Sequence, residues 1–288
     1  MMFPATFEYH RAQSLDEALR LLQVHPDAKL LAGGHSLIPM MKLRLAQPPA
    51  LIDIGRVAEL KGISHSGNAI RIGALTTHAE IASSPVIREQ VPLVAEAASQ
   101  VADPAVRNKG TIGGNLSHAD PGSDLPGVMV ALDAVVHFRG PEGERQTRAT
   151  EFFLDLMMTD LRPDEILLAV EIPVALQGSG CCYLKFEHPA SGYAVCGAAA
   201  VVEFDSSGSC QKCRLVFNGV KEIPWDASET CQQLVGTGLD EVTVTNALDG
   251  LQITDPMGDT YASGPYRLHL AKIVGRRALL KAAERARE

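Results

Sequence analysis

Two glycine pairs give the sequence its clearest chemical signal. The first lies in Ala32-Gly33-Gly34-His35-Ser36 and the second in Thr111-Ile112-Gly113-Gly114-Asn115. Because glycine has no Cβ, the backbone N–H groups of such a pair approach a ligand closely and converge on an anion such as a diphosphate. Hydroxyl and amide side chains beside each pair add neutral donors. A lone glycine pair is usually only a turn, so spacing alone leaves two turns and a diphosphate site equally favoured.

Other motifs with known chemistry are absent or incomplete. The sequence has neither G-x-G-x-x-G nor G-x-x-x-x-G-K-[ST], which argues against a Rossmann site and a P-loop. Cys210 and Cys213 form a single C-x-x-C without the second pair of a zinc ribbon, and we interpret it as coincidental. His118, Asp120 and Asp124 are possible metal ligands, but we favour a loop that wraps an organic ligand. None of these motifs predicts chemistry as directly as the glycine pairs.

Composition excludes several classes of protein. The 288 residues carry a net charge of −8, which argues against a nucleic-acid-binding protein. The apolar run at 195–202 is far shorter than the ~20 residues that a transmembrane helix needs. The six cysteines all follow residue 180, in an arrangement that suits neither a secreted disulfide framework nor an iron–sulfur cluster. We therefore expect a cytoplasmic protein, with the inner face of the membrane as the alternative location.

The first glycine pair is positioned by a small unit of helix, strand, loop and strand. Ser14 is the expected N-cap of the first helix, and Glu17 is expected to complete a capping box. A strand at 29–32 runs directly into the glycines. Pro39 should interrupt any helix over 35–45, and a buried strand follows at 51–54.

The second glycine pair lies in a region that begins near residue 58. Hydrophobic periodicity there predicts both strands and helices, and the polar stretch at 107–124 is expected to be a loop. The expected strands are 69–72, 134–138 and 165–172, and the expected helices are 77–83, 93–102 and 126–132.

The pattern changes after residues 177–180, whose Gln-Gly-Ser-Gly sequence is typical of a linker. Strands at 182–186, 196–204 and 210–216 predict an antiparallel sheet, and 269–286 predicts a long final helix. The predicted fold class is therefore α+β. We place an N-terminal domain at 1–177, with subdomains at about 1–55 and 56–177, and a C-terminal domain at 178–288.

Three segments resemble one protein family. The stretches from Lys29 to Arg44 and from Asp103 to Asn115, together with Ile72-Gly-Ala-Leu75, are similar to the FAD-binding loops of the medium subunit of bacterial molybdenum hydroxylases. The carbon monoxide dehydrogenase type is the most similar, and the flavin domain of xanthine dehydrogenase is more distant. The resemblance implies a two-subdomain FAD-binding region of the vanillyl-alcohol-oxidase (PCMH) type, followed by the C-terminal α+β domain of CO dehydrogenase flavoproteins.

The resemblance also implies which residues contact FAD. Substitution of Gly33 or Gly114 by valine should then abolish flavin binding, because a Cβ would occupy the diphosphate space. The implied residues are Ala32, Gly33, Gly34, His35, Ser36, Leu37, Thr111, Ile112, Gly113, Gly114, Asn115, Asp124, Leu167, Lys185 and Tyr193.

Several of these residues have an alternative structural interpretation. Asp124 could be a solvated acid or the N-cap of the helix that begins near Pro126. Leu167 and Tyr193 could be core residues, and Lys185 could be a surface lysine on an edge strand. His35 could donate to phosphate or cap its own segment.

The resemblance implies a heterotrimer, as a dimer of heterotrimers. A large subunit would hold the molybdopterin cofactor, and a small subunit would carry two [2Fe-2S] clusters whose electrons pass through FAD to quinone or NAD. Arg107 and Lys109 could offset diphosphate charge, face an acidic partner or remain solvated. Carbon monoxide is the expected substrate type, with purines and N-heterocycles as alternatives. The alternative function is a stand-alone FAD oxidoreductase of the same fold.

Overall fold

A small parallel sheet opens the chain in the computed structural model, which describes residues 3–174 and 178–288. The central strand β3 is flanked by β1 and β2, and the connections run through α1 and α2. This arrangement confirms the predicted helix–strand–loop–strand unit and adds β1 to it. The elements are β1 (Glu8–Arg11), α1 (Leu15–Val24), β2 (Lys29–Leu31), α2 (Leu37–Lys42) and β3 (Ala50–Asp53).

Two local predictions in this unit were wrong. Ser14 does cap α1 by accepting from the N–H of Glu17, but the Glu17 carboxylate accepts from the N–H of Gln13, so the capping box is not closed. Pro39 does not prevent a helix, because it is the third residue of α2. The first-turn N–H groups of a helix have no intrahelical acceptor, so a proline there removes no hydrogen bond.

Residues 58–174 form a second unit around a five-stranded antiparallel sheet of order β4-β5-β10-β6-β7. Helices cover one face of this sheet and bury a continuous apolar core. The strands are β4 (Ile63–Ser66), β5 (Ala69–Gly73), β6 (Val135–Gly140), β7 (Gly143–Arg148), β8 (Phe153–Asp155), β9 (Met158–Thr159) and β10 (Ile166–Pro173). The helices are α3 (His78–Ser83), α4 (Pro85–Gln90), α5 (Pro92–Gln100), α6 (Pro104–Arg107), α7 (Ile112–His118), α8 (Leu125–Ala131) and α9 (Ala149–Phe152).

The polar stretch at 107–124 is not the continuous loop that the sequence predicted. It contains α7, whose N-cap is Thr111, and the second glycine pair lies in the first turn of that helix. Gly113 is required there because a Cβ would lie 2.6 Å from the Cβ of Ala74. Close packing of the helix against the end of β5 therefore explains one of the two glycines.

The C-terminal unit is a four-stranded antiparallel sheet covered by a long helix, α12, that packs mainly on β11 and β12. The predicted linker is only partly testable, since Gln177 lies outside the described residues. Ser179 and Gly180 are not linker, because they begin β11 and Gly180 packs on the backbone of α12. The elements are β11 (Ser179–Glu187), β12 (Ala194–Phe204), β13 (Cys210–Asn218), β14 (Trp225–Asp226), α10 (Ser228–Gln232), α11 (Glu241–Asp249) and α12 (Gly264–Arg285).

Among the described residues, no helix combines the length and the apolar character that crossing a bilayer requires.

Candidate flavin-binding cleft

A cleft of about 1270 Å³ lies at the junction of the three units. One wall comes from residues 28–37 and 46–49 of the first unit, and the opposite wall from the start of α7. The turn at 191–193 of the C-terminal unit and the β8–β9 hairpin complete the rim. A cleft of this volume suits a dinucleotide better than a compact metabolite.

The two glycine segments contact each other inside this cleft, as the sequence predicted. A Cβ on Gly33 would overlap the carbonyl of Lys109 and lie 2.9 Å from the Cα of Gly110. A Cβ on Gly114 would lie 3.9 Å from the Cβ of Ala32. The absence of a side chain at Gly33 therefore lets the two backbones meet, which is a different reason from the predicted clash with a diphosphate.

The first segment presents the free N–H groups that anion binding requires. Within residues 3–174 and 178–288, the backbone N–H groups of residues 33–37 have no acceptor, and all five residues line the cleft. Gly34 has φ of +73°, which a residue with a Cβ rarely adopts. The imidazole of His35 lies with Nδ1 2.9 Å from the Gly33 carbonyl oxygen, so it caps its own segment.

The second segment differs from the prediction, because most of its N–H groups are already used. Ile112 and Gly113 donate to the carbonyls of Thr76 and Ala74. Gly114 donates to Oγ1 of its own N-cap, Thr111, at 3.2 Å. The start of α7 is thus fixed to the end of β5 and offers the cleft its side chains rather than a row of free N–H groups.

Two buried polar atoms at the cleft lack a partner among the described residues. They are Oδ1 of Asn115 and Nδ1 of His78. The Asn115 amide donates to Ser123, which leaves its carbonyl oxygen as an unused acceptor. Burial, with a smaller effect of Arg107, lowers the pKa of His78 to about 4, so this imidazole is neutral. His78 was not among the predicted site residues, because a histidine at the start of a helix has no distinctive spacing.

A buried polar network joins the cleft to the C-terminal sheet. The carboxylate of Asp124 accepts from the Tyr183 hydroxyl at 2.6 Å and from the Lys185 ammonium at 3.2 Å. Lys185 also donates to the carbonyls of Gln100 and Gly192, each at 2.7 Å. Lys185 is therefore a buried cross-link rather than a surface lysine or a residue that lines the cleft.

Burial raises the pKa of the Asp124 carboxyl to about 6, although Lys185 and the Tyr183 hydrogen bond act in the opposite direction. The same burial, together with the nearby carboxylate, raises the pKa of Tyr183 well above its usual range. Asp124 lines the cleft while sitting at the start of α8, but its side chain makes no capping hydrogen bond. Its predicted role as an N-cap is therefore not what the side chain does.

The turn before β12 brings an aromatic ring to the cleft. Tyr193 is 40% exposed and lines the cleft together with Ser36 of the first glycine segment. Gly192 has φ of +71°, and a Cβ on it would lie 3.2 Å from the Cα of Ala102. This close approach and the Lys185 hydrogen bond fix the turn, so Tyr193 is not the core residue that the alternative interpretation expected.

Of the fifteen residues predicted to contact the cofactor, all but Ile112 and Lys185 line the cleft. Ile112 is the first residue of α7, and its side chain is buried in the core. Leu167 is both a core residue and a cleft residue. It is 4% exposed, packs in the core and forms part of the cleft wall.

The predicted cations lie outside the cleft lining, whereas the metal-ligand candidates His118 and Asp124 belong to it. Arg107 donates to the carbonyls of Val101 and Ala102, and neither it nor Lys109 is among the described residues that line the cleft. Within the described ranges, His118 and Asp120 belong to no cluster that could hold a metal ion.

The paired cysteines are structural as well. The Cys210 and Cys213 thiols are free and are buried in the C-terminal core.

Sequence reasoning missed the β8–β9 hairpin. It pairs with no other strand of the described chain, and Met157 and Met158 line the cleft. Met157 has φ of +54°, an uncommon conformation for a residue with a side chain. The run of leucine and methionine could have been noted, but its exposure is visible only in the structure.

Comparison with known proteins identifies the family. Residues 5–175 match the family of the FAD binding domain in molybdopterin dehydrogenase, and residues 182–282 match the CO dehydrogenase flavoprotein C-terminal domain. The chain therefore belongs to the FAD-binding subunits of the molybdopterin dehydrogenases. These are oxidoreductase subunits of the CO dehydrogenase and xanthine dehydrogenase family.

Individual relatives cover nearly the whole chain. The carbon monoxide dehydrogenase medium chain of Hydrogenophaga pseudoflava is 40% identical over 96% of this chain and 97% of its own length. The cyanide-inactivated Cu,Mo-CO dehydrogenase contains a chain that superimposes with a TM-score of 0.94 at 37% identity, covering 99% of this chain and 100% of that one. A chain of quinoline 2-oxidoreductase from Pseudomonas putida 86 gives a TM-score of 0.92 at 36% identity, with complete coverage of both. The predicted α+β fold and family are thereby confirmed.

Proposed function

We propose that the cleft binds one FAD and that the chain relays electrons as the medium subunit of a molybdenum hydroxylase. The observation that carries this proposal is the row of free backbone N–H groups at residues 33–37, at the point where the two glycine segments meet. Five adjacent backbone N–H groups without a protein acceptor form a surface suited to an anion. A diphosphate supplies several oxygens at that point.

Other groups in the cleft fit the remainder of a flavin dinucleotide. The unused Oδ1 of Asn115 can accept from a ribityl or ribose hydroxyl, and Gly114 leaves the space beside it open. Tyr193 and Leu167 offer apolar surface for the isoalloxazine ring, and Asp124 offers a charged oxygen. FAD supplies the redox chemistry when it is bound, and this chain supplies binding, orientation and electrostatics. Lys185 contributes by holding Asp124 and the turn of Tyr193 in place.

The partners in this proposal are a large molybdopterin-binding subunit and a small subunit with two [2Fe-2S] clusters, in a dimer of heterotrimers. The β8–β9 hairpin supports partner docking, because Leu154, Leu156, Met157 and Met158 are each 46–55% exposed. Contiguous exposed apolar surface of this kind marks a protein interface. Since the hairpin also forms the rim of the cleft, we assign it to the iron–sulfur subunit, which must lie near the flavin.

We propose carbon monoxide as the substrate of the complex, because a carbon monoxide dehydrogenase medium chain is 40% identical. The similarity to a quinoline oxidoreductase chain keeps N-heterocycles as the alternative. Quinone or NAD would accept the electrons at the cytoplasmic side of the membrane. We place the boundary between the FAD-binding and C-terminal domains at residues 177–178.

The test is to express the chain with and without its two partner subunits and to measure FAD per chain from the absorbance of the purified protein. We expect one FAD per chain in the complex, and flavin that is reduced when substrate is added. Co-elution without any FAD would overturn the cleft assignment. A monomer that binds FAD and turns over substrate by itself would instead support the stand-alone oxidoreductase.

A further inference from the structure

We propose that Glu8, His10 and His25 form a surface site for a divalent transition-metal ion of the Zn²⁺ and Cu²⁺ class. The site lies at the edge of the first unit, where β1 passes the residue that ends α1. It is separate from the cleft lining and needs neither FAD nor a partner subunit.

The positions of the ligand atoms carry the proposal. One nitrogen of each imidazole and one Glu8 carboxylate oxygen all lie within 4.8 Å of one another. Nε2 of His10 is 3.3 Å from Oε2 of Glu8. Two ligands bound to zinc at ~2.0–2.1 Å in a tetrahedral site are separated by about 3.3 Å, so this pair already has the spacing of one tetrahedral edge. The His25 nitrogen lies within 4.8 Å of both of these atoms.

The backbone holds these three residues where the site needs them. Alternation along β1 places Glu8 and His10 on the same face, and the parallel ladder to β3 fixes that strand. His25 ends α1, where its N–H bonds to the Leu21 carbonyl and its own carbonyl accepts from Ala28. The two imidazole rings stack with centroids 4.3 Å apart. The backbone therefore keeps both imidazoles and the Glu8 carboxylate side by side at this edge of the unit.

The chemistry of the donors indicates the class of ion. Two imidazoles and one carboxylate suit zinc, copper or nickel, whereas calcium and magnesium prefer a set of oxygens. The Glu8 side chain is 69% exposed and that of His10 is 29% exposed, so water can complete the coordination. Three protein ligands and a solvent position are the arrangement of an open rather than an enclosed site.

The test uses the full-length chain without a histidine tag. Zn²⁺ titration by calorimetry should show one site in the wild-type chain, and His10→Ala and His25→Ala should each weaken binding at least 10-fold. With Cu²⁺ as the probe, electron paramagnetic resonance should show coupling to two nitrogens, which becomes one in either variant. His65→Ala removes an exposed histidine from β4 and is the matched control, expected to bind as the wild type does.

Two results would overturn the site. One is zinc affinity that is the same in the wild type, His10→Ala and His25→Ala. The other is an equal loss in His65→Ala, which would indicate nonspecific binding to surface histidines. Thermal unfolding without metal should be alike in all four proteins, which shows that each variant folds. FAD content is expected to be unchanged in every variant, so failure here is distinguishable from failure of the flavin proposal.

Discussion

The ammonium of Lys185 lies 3.1 Å from Oδ1 of Asp124, and this ion pair connects the C-terminal sheet to the wall of the cleft. Both side chains are 3–4% exposed. The remaining hydrogen bonds of Lys185 go to carbonyls on either side of the same junction, at Gln100 and Gly192. One cation therefore holds an acid of the cleft and the turn that carries Tyr193.

Lys185→Met should destabilise the chain and weaken FAD binding together. Loss of the cation leaves the Asp124 carboxylate buried without its charged partner, and breaking such a pair costs about 3–5 kcal/mol. Urea unfolding measures the first effect, and FAD titration followed by fluorescence measures the second. Lys272→Met removes a lysine bonded to a single carbonyl on the surface and is the control, expected to change stability by less than about 0.5 kcal/mol. Wild-type stability in Lys185→Met would contradict the cross-link.

The stability of the wild-type chain should carry a pH dependence that Asp124→Asn lacks. The pKa of Asp124 is raised from 3.8 to about 6 in the folded chain, chiefly by burial. The folded state therefore binds the proton more tightly than the unfolded state. Its contribution to stability is fully present below about pH 4 and is lost as the pH rises through about 6. At 1.36 kcal/mol per unit, the shift corresponds to about 3 kcal/mol.

Urea unfolding of both proteins at several pH values between 4 and 8 checks this prediction. Other titrating groups, including His78, are present in both proteins and cancel in the difference. If the free energy of unfolding changes with pH in the same way in the wild type and in Asp124→Asn, Asp124 does not titrate between pH 4 and 8.

Gly33→Ala should lower the stability of the chain, whereas Gly114→Ala should lower its affinity for FAD. A Cβ at Gly33 would be 2.8 Å from the carbonyl carbon of Lys109, so the variant should lose about 1–3 kcal/mol of stability with or without flavin. A Cβ at Gly114 meets only Thr111 Oγ1 at 3.0 Å and Ala32 at 3.9 Å. Alanine also favours a helix over glycine by about 1 kcal/mol. Gly114→Ala should therefore keep its stability while FAD affinity falls at least tenfold, and unchanged affinity would show that this side of α7 does not face the cofactor.

These two glycines show how far the sequence could lead. The pairs were correctly expected to meet, because their composition and the family resemblance both indicated one ligand. The reason for each glycine could not be read from the sequence, since Gly33 meets a backbone 76 residues away in the chain and Gly113 packs on the end of β5. Long-range contacts of this kind leave no local pattern.

The same limit explains the wrong predictions. The strands of the C-terminal sheet were located correctly, because continuous apolar runs and a glycine turn mark them locally. Lys185 was wrongly expected at the flavin or at the surface. The three oxygens that surround its ammonium belong to Gln100, Asp124 and Gly192, and only the folded chain brings these residues together. Helix α7 was missed because its glycines and asparagine have low helix propensity, and tertiary hydrogen bonds to β5 stabilise it.

Tyr193→Phe should weaken FAD binding by less than tenfold, and Tyr193→Ala by more. The phenylalanine variant loses only the hydroxyl group and keeps the aromatic ring at the cleft. The alanine variant also loses the apolar ring surface at the cleft. Fluorescence titration distinguishes the two. Tyr266→Phe, whose side chain is similarly exposed at 41%, should bind as the wild type does; an equal loss there would remove the assignment to Tyr193.

Leu156→Asp should abolish assembly with the iron–sulfur subunit without affecting FAD content. A carboxylate in the middle of an apolar interface must lose its hydration without gaining a partner. Size-exclusion chromatography of the co-expressed subunits measures assembly, and absorbance measures flavin. Val242→Asp places the same charge on an exposed residue of α11 and should leave the complex intact. Normal assembly of Leu156→Asp would show that the hairpin is not the docking surface.

Because the N–H groups at residues 33–37 are unpaired, their rate of hydrogen exchange should depend on whether flavin is bound. An amide that donates to no acceptor exchanges its proton with D₂O about as fast as an amide in a disordered peptide. The corresponding amides of α7, bonded to Thr76 and Ala74, are already slow before any ligand arrives. Deuterium uptake by a peptide that spans residues 33–37 should therefore fall when flavin binds, whereas uptake by a peptide from α7 should not change. The ratio of the two uptakes measures the fraction of molecules that carry flavin, even in a mixture with the partner subunits.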